Sequence, residues 1–505
     1  MAEKEKKTAR TLAKQGSIKL FGNITGKIFG FLFVAIATRL VSPDVYGLFV
    51  LGTSVVVFTH TLISMNIYGS IDYFIPQFLK ESNLSKAKGT LQNVLLIGLV
   101  FSILGSLFVY ILRYAIADIF DESGLAFVLV PFTLLIPLLT IYKFLTHSFN
   151  SLKKMKYRVL MRNFINPIVK IIGTILLIFL GAEVGGLIGG YLLGVTVAVL
   201  FGTVFLFWEA DWLRGTPSQS VSNRSLISYA LPLAMAGVIY TIIGQIDTFL
   251  IGFFSTSSKV GYYNIAYLLA TNLLVALNAV TPVFKPMIAE AKSNTHAVRN
   301  RYQLATRWVT MLTLPPAITL LLAPEIYLGV LFTQEFAVAS GTTVALVLGY
   351  LLNAASGPEG MMLEGLGYTK LTFLNSVVLL SINATLGIFF IPKLGILGAG
   401  IATAVALGSV GFLGVAEIYY LRGFHPYTVQ LLRVYIAVSV PIILGWLFVS
   451  VLSVSVLIAV FLPLVVIVCY VAGLRVTGGF TSKDIEIAKK FDEKIGYEIA
   501  SRCIN

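Results

Sequence analysis

The chain has 505 residues, of which 57% are hydrophobic and only 12% charged, and its formal net charge is +14. Soluble domains carry about 25% charged residues, so a soluble protein of this size is excluded and lipid is the expected solvent. The two cysteines, Cys469 and Cys503, form neither a metal-ligand pattern nor a disulfide framework. We therefore expect no metal and no cofactor, and the placement of the basic residues described below argues against a nucleic-acid partner.

A helix that crosses a bilayer needs about 20 mostly apolar residues. The hydropathy pattern predicts an all-α polytopic membrane protein with about fourteen spans. They lie near residues 18–40, 45–68, 91–116, 125–147, 164–182, 185–208, 227–254, 260–288, 304–333, 338–363, 371–391, 395–421, 431–453 and 454–475.

The basic residues are distributed unevenly between the connections. Lysine and arginine concentrate in cytoplasmic loops of membrane proteins. With a cytoplasmic N-terminus, 30 of the 37 basic residues fall on the cytoplasmic side, and four fall in outer loops: Arg39, Arg113, Lys259 and Lys393. This asymmetry predicts an even number of spans and two cytoplasmic termini.

An internal repeat emerges when the chain is shifted by 214 residues. Spans 1–6 then superimpose on spans 7–12, and Gly181, Gly186 and Gly194 meet Gly395, Gly400 and Gly408. An even number of spans in each repeat predicts parallel repeats. The predicted organisation is an N-terminal six-helix lobe over 1–214, a C-terminal six-helix lobe over 215–428, two extra transmembrane helices over 429–476, and a cytoplasmic amphipathic tail over 477–505.

Three motifs in this order resemble a known family. They are Arg39-Leu-Val-Ser-Pro-Asp-Val-Tyr-Gly47 after the first span, Gln245-Ile-Asp-Thr-Phe-Leu-Ile-Gly252 followed by Val260-Gly-Tyr-Tyr-Asn-Ile-Ala266, and Leu394-Gly-Ile-Leu-Gly-Ala-Gly-Ile-Ala-Thr403. The chain resembles the polysaccharide (Wzx-like) branch of the multidrug/oligosaccharidyl-lipid/polysaccharide (MOP) exporter superfamily. The resemblance implies a MATE-like fold of two six-helix lobes facing a central cavity, and transport by alternating access in the cell membrane, not enzymatic catalysis.

The same resemblance implies a lipid-linked oligosaccharide as cargo, moved from the cytoplasmic to the outer leaflet on a polyprenyl phosphate or pyrophosphate carrier. A glycan and phosphate head cannot cross hydrocarbon unaided, because burying one uncompensated charge costs many kcal/mol. Membrane lipids surround the protein, and coupling to Na⁺ or H⁺ is an open alternative. The cavity should therefore offer cations to the phosphate and polar groups to the sugar.

Ionisable residues inside spans are the candidate cavity residues, because they are expensive in lipid and usually functional. The substrate-binding candidates are Lys27, His60, Lys143, Lys170 and Asp247. The four bases lie in the inner half of the first lobe, and the hypothesis is that Lys27 and His60 hold the phosphate. The alternatives are that the lysines snorkel to the membrane surface, that His60 packs between helices, and that Asp247 binds Tyr263 or a neighbouring helix.

Three other functions are weighed against this interpretation. A cation-coupled multidrug exporter of the same fold would want acids in both lobes, whereas the first lobe offers bases. A glycan polymerase or ligase would need a sizeable outer loop with catalytic side chains, and no predicted outer loop is that long. A peptidoglycan-precursor lipid flippase stays open.

Overall fold

The computed structural model describes residues 2–215, 217–219, 221–452, 454–481, 484–486 and 492–493. Close contacts divide the chain into two compact units, Met1–Gly261 and Tyr262–Asn505. The predicted lobe boundaries at residues 214 and 428 stay predictions. The predicted amphipathic tail lies mostly outside the described residues, including its apolar positions Ala488, Phe491 and Ile495.

The first unit is built from helices. In chain order they are α1 (Ala2–Leu40), α2 (Pro43–Ser64), α3 (Gly69–Lys80), α4 (Leu84–Ile119), α5 (Ser123–Thr133), α6 (Leu135–Ser151), α7 (Met155–Val159), a π-helix (Leu160–Ile165), α8 (Asn166–Phe179), α9 (Glu183–Glu209), α10 (Trp212–Gly215) and α11 (Asn223–Phe254).

The chain continues through α12 (Ser257–Thr271), which begins before the unit boundary, into the helices of the second unit. These are a 3₁₀ turn (Asn272–Leu274), α13 (Val275–Glu290), α14 (Thr295–Leu322), α15 (Pro324–Leu331), a second 3₁₀ segment (Gln334–Ala339), α16 (Ser340–Ser356), α17 (Glu359–Leu366), α18 (Thr369–Leu394), α19 (Ile396–Arg422), α20 (Val429–Ile436), α21 (Ser439–Val451) and α22 (Ser455–Thr477).

The prediction of a polytopic all-helical protein is confirmed. Among the described residues, thirteen helical segments are long and apolar enough to cross a membrane, and the bent pair α5–α6 makes fourteen if it forms one span. The two parts of that pair meet at an angle of 44°. The final predicted pair of spans corresponds to Val429–Val451 and Ser455–Thr477.

Short polar residues and prolines set where several helices begin. Asn83 Oδ1 accepts a hydrogen bond from the Lys86 N–H at 3.0 Å, and Thr428 Oγ1 accepts one from the Leu431 N–H at 3.2 Å. Ser42 caps α2 in the same way, and Pro43 follows at its first helical position. Such caps satisfy amide groups that have no partner inside the helix.

Glycines allow α8 and α9 to approach closely. Gly186, Gly190 and Gly194 recur every four residues and lie along the face of α9 that contacts α8. A Cβ atom on Gly190 would lie 2.5 Å from the Thr174 nitrogen and 2.8 Å from the Lys170 oxygen. In a bilayer, helix association depends on such close packing, because lipid is as apolar as the side chains.

The helix boundaries of this pair recur in the second unit. Both α9 and α19 contain 27 residues, and the 214-residue shift places α9 within one residue of α19. The same shift brings the end of α8 within one residue of the end of α18. The repeat inferred from glycine positions therefore extends to both ends of α9 and to the end of α8, although α8 has 14 residues and α18 has 26.

A buried ion pair anchors the segment that follows α22. Arg307 on α14 donates to both carboxylate oxygens of Asp484 at 2.7 Å, and its side chain is only 4% exposed. Trp308 Nε1 also donates to Asp484, at 2.9 Å, and Arg307 reaches the Gly479 carbonyl oxygen at 3.1 Å. Gly479 and Asp484 are thereby held against α14.

A single methyl group at Gly190 should disturb the α8–α9 contact. Overpacking of a close contact costs about 1–3 kcal/mol, so we expect Gly190→Ala to lower the melting temperature of the purified protein. Gly30→Ala is the matched control, because a Cβ atom there meets nothing within 4 Å. Equal melting temperatures for the two variants would contradict the packing argument.

The Arg307–Asp484 pair should make stability depend on pH. Burial alone raises the pKa of Asp484, but the Arg307 and Thr481 donors outweigh it, so the pKa lies below its usual 3.8. A lowered pKa stabilises the fold above the unfolded value, and this contribution is lost as the pH falls. At neutral pH we expect Asp484→Asn to cost about 3 kcal/mol or more.

Thermal unfolding of both proteins between pH 3 and pH 8 measures this effect. The difference between wild type and Asp484→Asn should shrink as the pH falls below about 4. Glu364→Gln is the control, because its pair with Lys285 (2.6 Å) is half exposed and such pairs contribute about 0–1 kcal/mol. A pH-independent difference would show that the charge of Asp484 has no part in it.

Candidate functional site

The first unit contains a π-helix at the start of a candidate span. Leu160–Ile165 lies between α7 and α8, and this stretch belongs to one candidate span over Met155–Phe179. Gly22 and Gly26 of α1 leave space for Val159 and Asn163 at this point. Single-turn π segments inside helices are frequent at functional sites, and this one carries Arg162.

Three basic side chains interact electrostatically around the π-helix. Lys143 of α6 lies within range of both Arg158 and Arg162, and Arg158 and Arg162 also influence each other. Arg158 donates to Asn150 Oδ1 at 2.6 Å. Lys143 and Arg162 are exposed, and Arg158 is half-buried. We call Lys143, Arg158 and Arg162 the basic cluster.

A bound anion would stabilise the basic cluster. Charges of one sign repel when they lie close together, and the repulsion grows where water is scarce. Asp72 interacts with Arg158, but its Oδ2 atom also lies 2.6 Å from His147 Nδ1. Tyr142 interacts with Arg158 and Arg162, so a phenol oxygen lies near the cations as well.

His60 belongs to a column of stacked rings beside this cluster. Its ring stacks on Tyr68 with centroids 6.3 Å apart, and Tyr68 stacks on His147 at 6.1 Å. His60 is 5% exposed, and its Nε2 atom has no hydrogen-bond partner among the described residues. Lys143 is the charged group that acts on it, so two of the predicted site residues lie together.

Lys170 lies in a different environment. Its ammonium group stands over the ring of Phe33 at 3.5 Å and over that of Tyr191 at 4.4 Å. A cation between two aromatic faces is attracted by the ring quadrupoles. Tyr191 interacts in turn with Tyr142, so these two tyrosines connect Lys170 to the basic cluster.

Lys27 and Asp247 occupy the remaining predicted positions. Lys27 is exposed on α1, directly after Gly26, which contacts Asn163 of the π-helix. Asp247 lies on α11 and is 6% exposed. The Tyr263 hydroxyl lies 3.4 Å from Thr403 Oγ1, and the contact expected between Tyr263 and Asp247 stays a prediction. The functional roles of all five residues stay predictions.

Sequence reasoning missed several charged residues. Arg158 and Arg162 were placed in a loop, because the span was expected to begin at residue 164 and the helix begins at Met155. Their spacing of four residues, followed by Asn163 and Asn166, was the available signal. Two acids inside candidate spans were also overlooked: Glu359 at the start of α17, and Glu417 on α19, which accepts from Asn375 at 2.7 Å.

No group of three or more potential metal ligands occurs within the part of the chain that the structure describes.

A family model described as "Polysaccharide biosynthesis protein" matches residues 36–341, which is well over half of the chain. The chain belongs to this family. The resemblance to the polysaccharide branch of the MOP superfamily is thus confirmed, and the whole basic cluster lies inside the matched residues. Two of the curated relatives are described as probable flippases.

Two archaeal relatives illustrate the range of the family. The probable low-salt glycan biosynthesis flippase Agl15 of Haloferax volcanii is 24% identical over 52% of this chain and 54% of its own length. The chain thus spans about half of that relative. An uncharacterized membrane protein of Methanocaldococcus jannaschii, MJ1375, is 25% identical over 82% of this chain and 99% of its own length.

Solved structures show the same fold. The lipid II flippase MurJ in an inward closed conformation has a TM-score of 0.70 at 16% identity, covering 90% of this chain and 97% of its own. An inward-facing multidrug resistance MATE transporter of the MOP superfamily has a TM-score of 0.63 at 12% identity, covering 79% and 94%. At these identities the likeness establishes the MOP fold alone.

Replacing His60 by phenylalanine separates packing from function. The ring stack on Tyr68 is kept, and a buried nitrogen without a partner is removed, so we expect an unchanged or higher melting temperature. If His60 contributes to the cargo site, glycan-lipid flipping falls although the fold is kept. Flipping at the wild-type rate would show that His60 is a packing residue.

Proposed function

We propose that this protein flips a lipid-linked oligosaccharide, carried on a polyprenyl phosphate or pyrophosphate, from the cytoplasmic to the outer leaflet by alternating access. The observation that carries the proposal is the basic cluster, in which Lys143 lies on α6 and both Arg158 and Arg162 lie near the start of the candidate span Met155–Phe179. The family assignment supports a glycan-related cargo.

The basic cluster matches the chemistry of a phosphate head. Arginine binds phosphate oxygens through its planar fork, and lysine binds them as a point charge. A phosphate or pyrophosphate would relieve the repulsion between the three cations while the isoprenoid tail stays in lipid. Asn150 and Tyr142, which lie against the arginines, supply polar groups of the kind that sugar hydroxyls bind.

The proposed direction rests on the distribution of charge. The positive-inside rule places both termini and the basic connections in the cytoplasm. Arg158 and Arg162 follow one of these connections, residues 152–154, and Lys143 lies on the helix that precedes it. The phosphate head would thus meet the cations on the side where lipid-linked glycans are assembled.

Energy coupling is a separate part of the proposal. Asp247 is buried, and Glu359 lies at the start of α17 beside Tyr302 and Tyr427. Carboxylates in a low-dielectric environment take up a proton or a cation readily. We propose that one of them binds the coupling H⁺ or Na⁺.

Neutralising Arg162 should impair flipping without unfolding the protein, because Arg162 is exposed. A hydrogen bond to a charged group contributes about 1.5–3 kcal/mol, so we expect Arg162→Gln to reduce the transport rate at low cargo concentration by about tenfold or more. The measurement is the appearance of a defined lipid-linked oligosaccharide in the opposite leaflet of proteoliposomes.

Arg113→Gln is the matched control. Arg113 is an arginine outside the basic cluster, packed on the rings of Tyr110 and Tyr114, and its loss should leave the rate unchanged. Equal effects of the two substitutions would refute the role of the cluster. Transport of organic cations or of a peptidoglycan precursor, with no movement of the oligosaccharide lipid, would refute the proposed cargo.

A further inference from the structure

The first unit also contains a cavity, which lies on a different side of α6 from the basic cluster. It has a volume of about 160 Å³ and lies between α4, α6 and α9, with α10 at one end. Its lining is mostly apolar and includes Leu91, Leu95, Ile141, Phe144, Leu206 and Phe207. An engineered cavity of about 150 Å³ holds benzene, so there is room for about six carbon atoms of a chain.

Basic and polar side chains border this cavity. Its lining includes Lys88 and Gln92 of α4. The guanidinium carbon of Arg214 lies 5.8 Å from the ring of Phe207, and the preceding residue, Leu213, is part of the wall. An apolar interior thus meets cationic groups at one end, which is the polarity of an anionic lipid.

The cavity lies near helix ends, where candidate spans begin and end. Lys88 lies in the first turns of α4, and Phe207 lies near the end of α9. Trp208 is 68% exposed, and tryptophan is enriched at the membrane–water interface. The rim is held in place by the connection after α10, since the Gln219 N–H donates to the Ser85 carbonyl oxygen at 3.1 Å.

The cavity is distinct from the basic cluster. Its lining includes three residues of α6: Ile141, Phe144 and Leu145. Phe144 and Leu145 follow Ile141 by three and four residues, which places all three on one face of the helix. Lys143 and His147 are also four residues apart and lie on another face. The cargo groups proposed above are therefore not part of this cavity.

We propose that this cavity binds an anionic glycerophospholipid of the surrounding bilayer. The first carbons of one acyl chain, next to the glycerol, occupy the apolar interior, and the phosphate lies at Lys88 and Arg214. Basic pockets between transmembrane helices bind anionic head groups in this way. The bilayer supplies such a lipid at high concentration, and its polarity matches the cavity from rim to interior.

The test uses the purified full chain and two lipids with identical acyl chains, phosphatidylglycerol and phosphatidylcholine. Native mass spectrometry counts bound lipids, and the shift in melting temperature gives the apparent affinity. We expect phosphatidylglycerol to bind more tightly, and Lys88→Gln to weaken it about fivefold, the factor expected for the loss of one basic residue near a phosphate. Lys370→Gln, an exposed lysine elsewhere, should have no effect.

Two further variants keep the test decisive. Thr203→Phe fills the cavity and should weaken the binding of both lipids. Arg214→Gln should reduce only the preference for phosphatidylglycerol, and it replaces Lys88→Gln in the test if that variant does not fold. Equal affinity for the two lipids, or wild-type binding by Lys88→Gln and Arg214→Gln, would overturn the proposal. Tighter binding of a polyprenyl phosphate than of phosphatidylglycerol would overturn it as well, because the occupant would then be the cargo's carrier.

Discussion

A charged side chain within a bilayer must reach water, a partner or the membrane surface, because hydrocarbon can neither hydrate the charge nor pair with it. The first unit brings Lys143, Arg158 and Arg162 together under this constraint. Their mutual repulsion must be offset by the packing that positions them: Asn150 accepts from Arg158, and α1 packs on the π-helix through Gly22 and Gly26. Such an arrangement is one that an anion stabilises.

The bases expected to act together satisfy the constraint in different ways. Lys170 is held between the rings of Phe33 and Tyr191, which replace part of its hydration. Lys27 stays exposed, and His60 is buried in a stack of rings. Of the bases predicted from sequence, Lys143 is the one that joins the arginines directly.

Much of the fold was accessible from the sequence, because the apolar length of each span and the recurrence of glycines depend on local composition. The number of spans and the α9–α19 correspondence follow from such features. The site was less accessible. Arg158 and Arg162 belong to a helix that begins at Met155 and contains a π segment. In the sequence, this helix start has the same pattern of basic and apolar residues as a basic loop followed by a span.

Glu359 was overlooked for a related physical reason. It follows Gly357, whose φ of +71° lies in the left-handed region, and Pro358, so a helix break places the carboxylate at the start of α17. In the sequence the same residues resemble the end of a span, where an acid is unremarkable. Glu359 is half-buried beside Gly414 of α19 and interacts electrostatically with Tyr302, and these tertiary contacts are not revealed by hydropathy.

The cargo of this protein must be encoded in side chains, because its fold is shared by a lipid II flippase and by multidrug transporters at 16% and 12% identity. Fold alone does not determine function. The side chains that we propose to recognise the cargo lie on α6, on α7 and on the π-helix. Helix α6 carries Lys143 on one face and apolar cavity residues on another. A lipid bound in the cavity would therefore directly contact the helix that positions Lys143. The identity of the surrounding lipid would then influence the geometry of the basic cluster without touching the cargo.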